Sequence, residues 1–373
     1  MRTSLASLVV LSLATPALAA EKPVTPAQWQ AKIRDLPENT WIDTGVPLAY
    51  TGEVTIAYDS ANHLLVRYGG CTRGRGNYED YGYANDLWVL DCDAGAWMMR
   101  RAVHMYGGTG RPINGCGRAT CYDAKRKVFW ITGGVSSQGT GGFGDLGTYD
   151  AGADVFAHPK TTGSHGGPSS TMMAWCAKQD VLVKLNGTTS IFDMAKMAWR
   201  EGAAVPPGGG NYRTLPYNAK DGLVILMGPC PKGWQPGQPK PRGGDREMRT
   251  WAYDPAADKW TDLAPKGQDA MPVRDNFQVD YDSSNHVLIA LLSGSGDGET
   301  DHGKPSETWI LDLAANAWKK AAPKAEPPSG LIKGSTAYDE NHNVLFAYIA
   351  GQVWAYRYQG GCPKDSFASG VKN

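Results

Sequence analysis

Residues 55–70 read TIAYDSANHLLVRYGG and residues 85–97 read NDLWVLDCDAGAW. The pair predicts four short strands. Ile56 to Asp59 is apolar and runs into a turn signal, and Leu64 to Gly70 is a β-rich run closed by two glycines. Leu87 to Asp91 and Ala96 to Met99 supply the third and fourth strands. A four-stranded unit of this size cannot bury both of its faces, so it needs copies of itself to pack against.

Those copies are present. Tyr122-Asp123 followed by KVFWITGG repeats the opening, as do Tyr217-Asn218 before LVILMG, Tyr281-Asp282 before NHVLIALL and Tyr338-Asp339 before NHNVLFAYIAG. A degenerate copy, MMAWCAKQDVLVKLNGTTSIFDMAKMAW, carries Trp175 in place of the tyrosine. The six copies are spaced by roughly the 40–60 residues of propeller blades. The diglycines Gly69-Gly70 and Gly133-Gly134, the paired aromatics such as Trp88 and Trp97, and their spacing resemble the kelch family of β-propellers. Later copies keep one glycine of the pair, at Gly187, Gly228, Gly294 and Gly351. The resemblance covers nearly the whole chain past residue 40 and implies an all-β, six-bladed kelch-type propeller, like the central domain of galactose oxidase.

Each copy closes on an aromatic: Trp97, Phe156, Trp199, Trp260 and Trp318. The last copy, ending VWAYRY, has no closing strand, whereas Trp41 in NTWIDTG stands alone near the N-terminus. The N-terminal segment is therefore expected to pair with Val353 to Tyr358 and complete the ring, leaving no open sheet edge. Ahead of it, TPAQWQAKIRDL (25–36) predicts a short helix, with a capping box from Thr25 and Gln28, Pro26 in the first turn, and Trp29, Ile33 and Leu36 on one stripe. Arg2, the apolar run Leu5 to Leu13 and Ala17-Leu18-Ala19 read as a secretory signal peptide cut after residue 19, which makes the product periplasmic or secreted. The expected order is signal peptide 1–19, helical segment 20–40, propeller 41–360 and tail 361–373.

The 37 basic and 37 acidic residues balance, so charge gives no pull toward nucleic acid or anionic lipid. Beyond the signal peptide no apolar run approaches the ~20 residues that span a bilayer, so no membrane insertion is expected. Seven cysteines in an exported chain allow three disulfides with one thiol over. Topology favours Cys71 with Cys116, and Cys121 with Cys176 as a second choice.

The turns YDSAN, YDAKR, YNAKD, YDSSN and YDENH recur after each first strand, so their acids are structural. His63, His286 and His342 fall in those turns and are read the same way. His104, His158, His165 and His302 all follow second or fourth strands, on the end that also carries the longest loops, 71–85, 229–249 and 294–306. Inner-strand entries on that end hold Arg118, His165, Tyr212, Arg213, Arg274, Asp275 and Asn276. Guanidinium forks pair with a sugar carboxylate, and a nearby His or Tyr can move the adjacent proton. His104, His165 and Tyr212 are thus the candidate catalytic residues, with Arg118, Arg213, Arg274, Asn276 and Trp234 binding substrate. The resemblance permits this reading, since exported kelch-like proteins include sialic-acid mutarotases and uronic-acid lyases.

The expected function is binding of, and action as lyase or epimerase on, an acidic saccharide. The alternative is a non-catalytic scaffold for a protein or glycan partner, with the arginines forming salt bridges between blades. Trp234 either stacks on a sugar from a mobile lid or tucks under its own loop. A copper radical site would need Cys71, Cys116 or Cys230 with His104 and His165, and no motif places them together. Asp297, Glu299 and Asp301 alternate as calcium ligands do but lack the distal bidentate Glu, which favours a solvated loop over calcium.

Overall fold

The computed structural model describes residues 23–48, 54–72, 82–83, 86–100, 116–135, 146–163, 172–207, 214–234, 238, 244–293, 304–329, 331–349 and 351–367, with side chains omitted at 71–72, 82–83, 116–118, 134–135 and 331–335. Six four-stranded antiparallel sheets form a six-bladed β-propeller. Blade 1 comprises Thr55–Asp59, Leu64–Tyr68, Leu87–Asp91 and Ala96–Arg100. Blade 2 comprises Cys116–Asp123, Val128–Val135, Leu146–Asp150 and Val155–Ala157, and blade 3 Met172–Cys176, Val181–Leu185, Thr189–Asp193 and Ala198–Glu201. Blade 4 runs through Tyr217–Asn218, Leu223–Pro231, Arg246–Asp254 and Lys259–Asp262, and blade 5 through Phe277–Asp282, Val287–Leu292, Glu307–Asp312 and Ala317–Lys320. Blade 6 combines Leu331–Asp339, Val344–Ile349 and Gln352–Arg357 with the N-terminal strand Thr40–Pro47.

The closing register pairs Trp41 with Tyr356 and Asp43 with Trp354, as the missing fourth strand of the last repeat predicts. Six apolar clusters fill the six boundaries between blades, so each blade buries its faces only through its neighbours.

The recurring turn has one geometry. The Asp after the aromatic accepts from the backbone N–H groups two and three places on, as Asp59 does from Ala61 and Asn62, Asp123 from Lys125 and Arg126, and Asp339 from Asn341 and His342. The residue four places after the aromatic returns a side-chain donor to the same carboxylate: Asn62 at 2.7 Å, Arg126 and Asn285 at 2.8 Å, His342 at 2.6 Å. The residue five places after it adopts positive φ, at His63, Lys127, Asp180, Gly222, His286 and Asn343. His342 therefore stands one place before the position of His63 and His286. The three histidines are not one repeated position, which corrects the sequence reading.

Two sets of aromatics clasp neighbouring blades. On the inner strand, the Tyr58 hydroxyl donates to Asn341 Oδ1 of blade 6 (2.9 Å), Tyr338 to Ser284 Oγ of blade 5 (3.0 Å), and Tyr217 accepts from Lys178 N of blade 3 (3.1 Å). The contacted residue always lies three places past the aromatic of the preceding blade. On the outer strand, Trp260, Trp318 and Trp41 donate their indole N–H to Thr189, Thr250 and Thr308 of the preceding blade. Trp318 and Trp41 are buried, whereas Trp260 and Trp97 are only half-buried, less than the repeat pattern predicts.

The helix Pro26–Arg34 (α1) forms as expected, with both halves of the capping box made and Trp29 and Ile33 buried. Trp29 Nε1 donates to Cys92 O (2.7 Å) and Gln30 Nε2 to Asp93 O (3.0 Å), seating α1 on the last turn of blade 1. Its C-terminal carbonyls are met by Arg357, 1% exposed, which donates to Ile33 O, Arg34 O and Leu36 O as well as to His342 O and Asn343 O. A buried guanidinium held by helix-end carbonyls is stabilised by the negative end of the helix dipole. Desolvation nonetheless lowers its pKa.

Candidate functional site: the central channel

The inner strands converge on a cavity of about 320 Å³ that runs from their loop-end residues, Thr55, Ala119, Met172 and Thr214, to the turns at Ser60, Ala177 and Ser283. Its wall is built from one backbone pattern repeated six times, so a departure from the pattern is chemically informative. The residue just before the inner-strand aromatic is Ala57, Cys121, Ala174, Pro216 and Ala337 in five blades. In blade 5 it is Asp280. That carboxyl lines the cavity and accepts a short hydrogen bond from Thr336 Oγ1 of blade 6. Desolvation raises its pKa from 3.8 to about 6 against the lowering effect of Thr336. Perturbed acids in concave sites are where chemistry is concentrated. Applied position by position, the test of repetition finds Asp280 in the sequence.

Arg274 and Asn276 lie at the entry to the blade 5 inner strand, and both are buried. Arg274 is not a free fork: its Nη2 stands 3.9 Å from Glu307 Oε1, and Glu307 also takes Lys320 Nζ at 3.2 Å and the Trp309 indole. Neighbouring arginines are likewise compensated. Arg246 makes a two-pronged pair with Asp275 across the blade 4 to blade 5 boundary (2.7 and 3.0 Å), and Arg249 pairs with Asp262 while stacking on Trp251. A guanidinium already opposed by carboxylate has little drive to capture another; of these pairs Arg274–Glu307 and Arg249–Asp262 lie within one blade and Arg246–Asp275 crosses between blades. The backbone carbonyl of Asn276 accepts from Ser293 N.

Trp234 is 8% exposed; its Nε1 donates to Gln238 O (3.0 Å) and its ring meets Trp251 edge-on at 5.9 Å. It packs under its own loop, and the exposed sugar-stacking role is corrected. His104, His165, Tyr212 and Arg213 lie outside the described residues. So do the side chain of Arg118, whose backbone pairs with Gly133, and the calcium candidates Asp297, Glu299 and Asp301. Cys71 and Cys116 fall on side chains that are not described. Cys121 and Cys176 are buried and not joined to each other, so the second-choice disulfide is not formed. His158 is exposed just past the outer strand of blade 2 and does not join the channel.

A second cluster sits between blades 6 and 1, at the turn end. His63 Nδ1 lies 3.0 Å and His342 Nε2 3.1 Å from Asp93 Oδ1, and His342 Nδ1 donates to Asp339 at 2.6 Å. Burial alone would lower the His342 pKa, but Asp339 and Asp93 outweigh it and raise it to about 9. Asp93 is held down to about 2: burial raises it, and the two imidazoles more than offset that. Asp93 also breaks its repeat, since the residue two places after the third-strand Asp is Gly152, Ala195, Ala256 and Ala314 in blades 2 to 5.

Among the described residues no helix is long and apolar enough to cross a membrane. Compared with protein-family models and with curated proteins, the chain matches none. The architecture, a six-bladed β-propeller with an open channel, is one that fits a binding scaffold.

Proposed function

We propose that this chain is an exported propeller of the kelch type that serves as a binding scaffold, taking a saccharide at the loop end of its channel. The observation that carries the reading is Asp280, the single carboxyl set into a wall position that is otherwise small and uncharged. A carboxyl titrating near 6 both donates and accepts toward sugar hydroxyls, and Thr336 fixes one of its oxygens. The aromatics Trp175 and Tyr217 along the same wall offer apolar faces to sugar rings. For an acidic saccharide, Arg118 and Arg213 are the proposed guanidinium forks, and His104, His165 and Tyr212 the proposed proton-moving groups. Arg274 is already opposed by Glu307 and is not counted among these forks.

Calorimetry of the parent chain, Asp280→Asn and Arg213→Ala against neutral oligosaccharides, oligouronates and sialosides tests both levels. A loss of about tenfold or more in Asp280→Asn supports the channel site, and a loss in Arg213→Ala restricted to acidic ligands supports the carboxylate fork. Unchanged affinity in both variants, or no saccharide binding by the parent, overturns the reading in favour of a protein-binding scaffold.

A further inference from the structure

The cluster at the closure has the donor set and the supporting shell of a metal centre. Two imidazole nitrogens and a carboxylate oxygen, from His63, His342 and Asp93, lie within 4.8 Å of one another, and the residues are 8%, 0% and 5% exposed. A tetrahedral ion with bonds of ~2.0–2.1 Å spaces its ligand atoms by about 3.4 Å. The observed 3.0 and 3.1 Å separations need to open by only a few tenths of an ångström. His342 Nε2 is buried and, although close to Asp93, is out of line for an N–H···O bond.

The outer nitrogens are oriented as metal ligands require. His342 Nδ1 donates to Asp339, the carboxylate–imidazole arrangement that leaves the Nε2 lone pair for an ion. His63 Nε2 meets the Asn341 amide at 2.8 Å, and Asn341 Oδ1 accepts from the Tyr58 hydroxyl. Turning that amide over exchanges two atoms of nearly equal size. It then accepts from His63 Nε2–H and donates to Tyr58, freeing His63 Nδ1 to ligate. Two of the three ligands stand where the fold does not ask for them: Asp93 replaces Gly or Ala, and His342 replaces Asn62, Arg126, Gln179, Asp221 and Asn285. Helix α1 covers the turn through Gln30, and Phe367 covers the His342 ring at 4.4 Å.

We propose that His63, Asp93 and His342 form a divalent-cation site of the zinc class that staples blade 1 to blade 6 where the ring closes. Two neutral imidazoles and a carboxylate favour Zn²⁺ over Ca²⁺ or Mg²⁺.

The test uses the tag-free full-length chain. Metal content is measured by mass spectrometry after purification without chelator, and thermal unfolding is followed with EDTA, with Zn²⁺ and with Mg²⁺. The expected result is one Zn²⁺ per chain and a midpoint about 4–8 °C higher at a thousandfold excess over Kd than in EDTA, with no response to Mg²⁺. Co²⁺ loaded in its place should show the visible absorption of a four-coordinate N/O site. His63→Gln should abolish the Zn²⁺ shift and the Co²⁺ band. A Zn²⁺ shift retained in His63→Gln, or a parent chain without stoichiometric metal, shift or Co²⁺ spectrum, overturns the proposal. The parent measurements decide the matter even where the variant fails to fold.

Discussion

The boundary between blades 6 and 1 and the boundary between blades 2 and 3 use the same turn for opposite electrostatics. At the first, His63, Asp93, Asp339 and His342 are buried beneath α1 and Phe367. At the second, blade 3 carries Trp175 in place of the clasping tyrosine, and the turn is tied by charge instead. Arg126 makes a two-pronged pair with Asp180 (2.7 and 2.9 Å), and Lys125 reaches the same carboxylate at 2.5 Å. Those side chains are 32%, 29% and 60% exposed. Arg126 and then Lys125 outweigh the small desolvation of Asp180 and pull its pKa well below the usual carboxylate range. Solvent and salt screen the second set and barely touch the first. A lost hydrogen-bonded clasp is thus replaced by ion pairs in the open, while the His63, Asp93, Asp339 and His342 cluster is buried at the seam that α1 seals.

The largest expected effect breaks the closed seam. Arg357→Ala leaves five backbone carbonyls short of a donor and removes the cap from α1, and should lower stability by roughly 3–5 kcal/mol in urea unfolding. A loss under about 1 kcal/mol would show that α1 and the final strand do not lock the ring. Next comes the pair Trp318→Ala and Trp260→Ala. The buried Trp318 should cost roughly 3–5 kcal/mol and the half-buried Trp260 about half as much. Equal losses would mean that burial does not rank the outer clasps.

Asp280→Asn separates a functional residue from a structural one. Because the folded pKa is raised from 3.8 to about 6, the folded state holds the proton more tightly, and stability falls as pH rises through that window. The raised pKa corresponds to a penalty of about 1–3 kcal/mol at pH 7. The Asn variant should be more stable than the parent by that amount at pH 7, with the difference shrinking below pH 4. A less stable variant at pH 7 would return Asp280 to a structural role.

The smallest effects compare the two kinds of clasp. Tyr338→Phe deletes one hydroxyl clasp and should cost about 1 kcal/mol, independent of salt. Asp180→Asn, which tolerates the left-handed backbone at that position, should cost about 1 kcal/mol at low ionic strength and progressively less in added NaCl. A salt-insensitive loss in Asp180→Asn would contradict the exposed ion-pair account.

Strand positions, blade number, the N-terminal closing strand and α1 were legible because each rests on a local pattern that recurs six times or on a capping signature within one turn of helix. Trp234 was not, because a Pro/Gly-rich loop folding back on its own blade has no periodicity to read. The ion pair of Arg274 was not legible because its partner Glu307 lies on the third strand of the same blade, beyond a long loop. His342 was placed with His63 and His286 by residue type; the one-place offset shows only when φ and the returned hydrogen bond fix the phase of the turn.

The sequence by itself determined the repeat, and the repeat determined the propeller, since one amphipathic four-stranded unit buries its faces only against copies of itself. It also held every departure from the repeat, Asp280, Asp93 and His342 among them. Only the tertiary structure decided which departures meet. Ring closure sets the turn of blade 6 beside that of blade 1 and brings His63 and Asp93 to His342, nearly the whole propeller away along the chain. The same convergence of inner strands turns an aspartate in a short apolar strand into a carboxyl that titrates near 6. Local pattern specifies each blade because its interactions are short-range in sequence; the chemistry at the axis and the seam depends on distances that exist only once all six blades have closed.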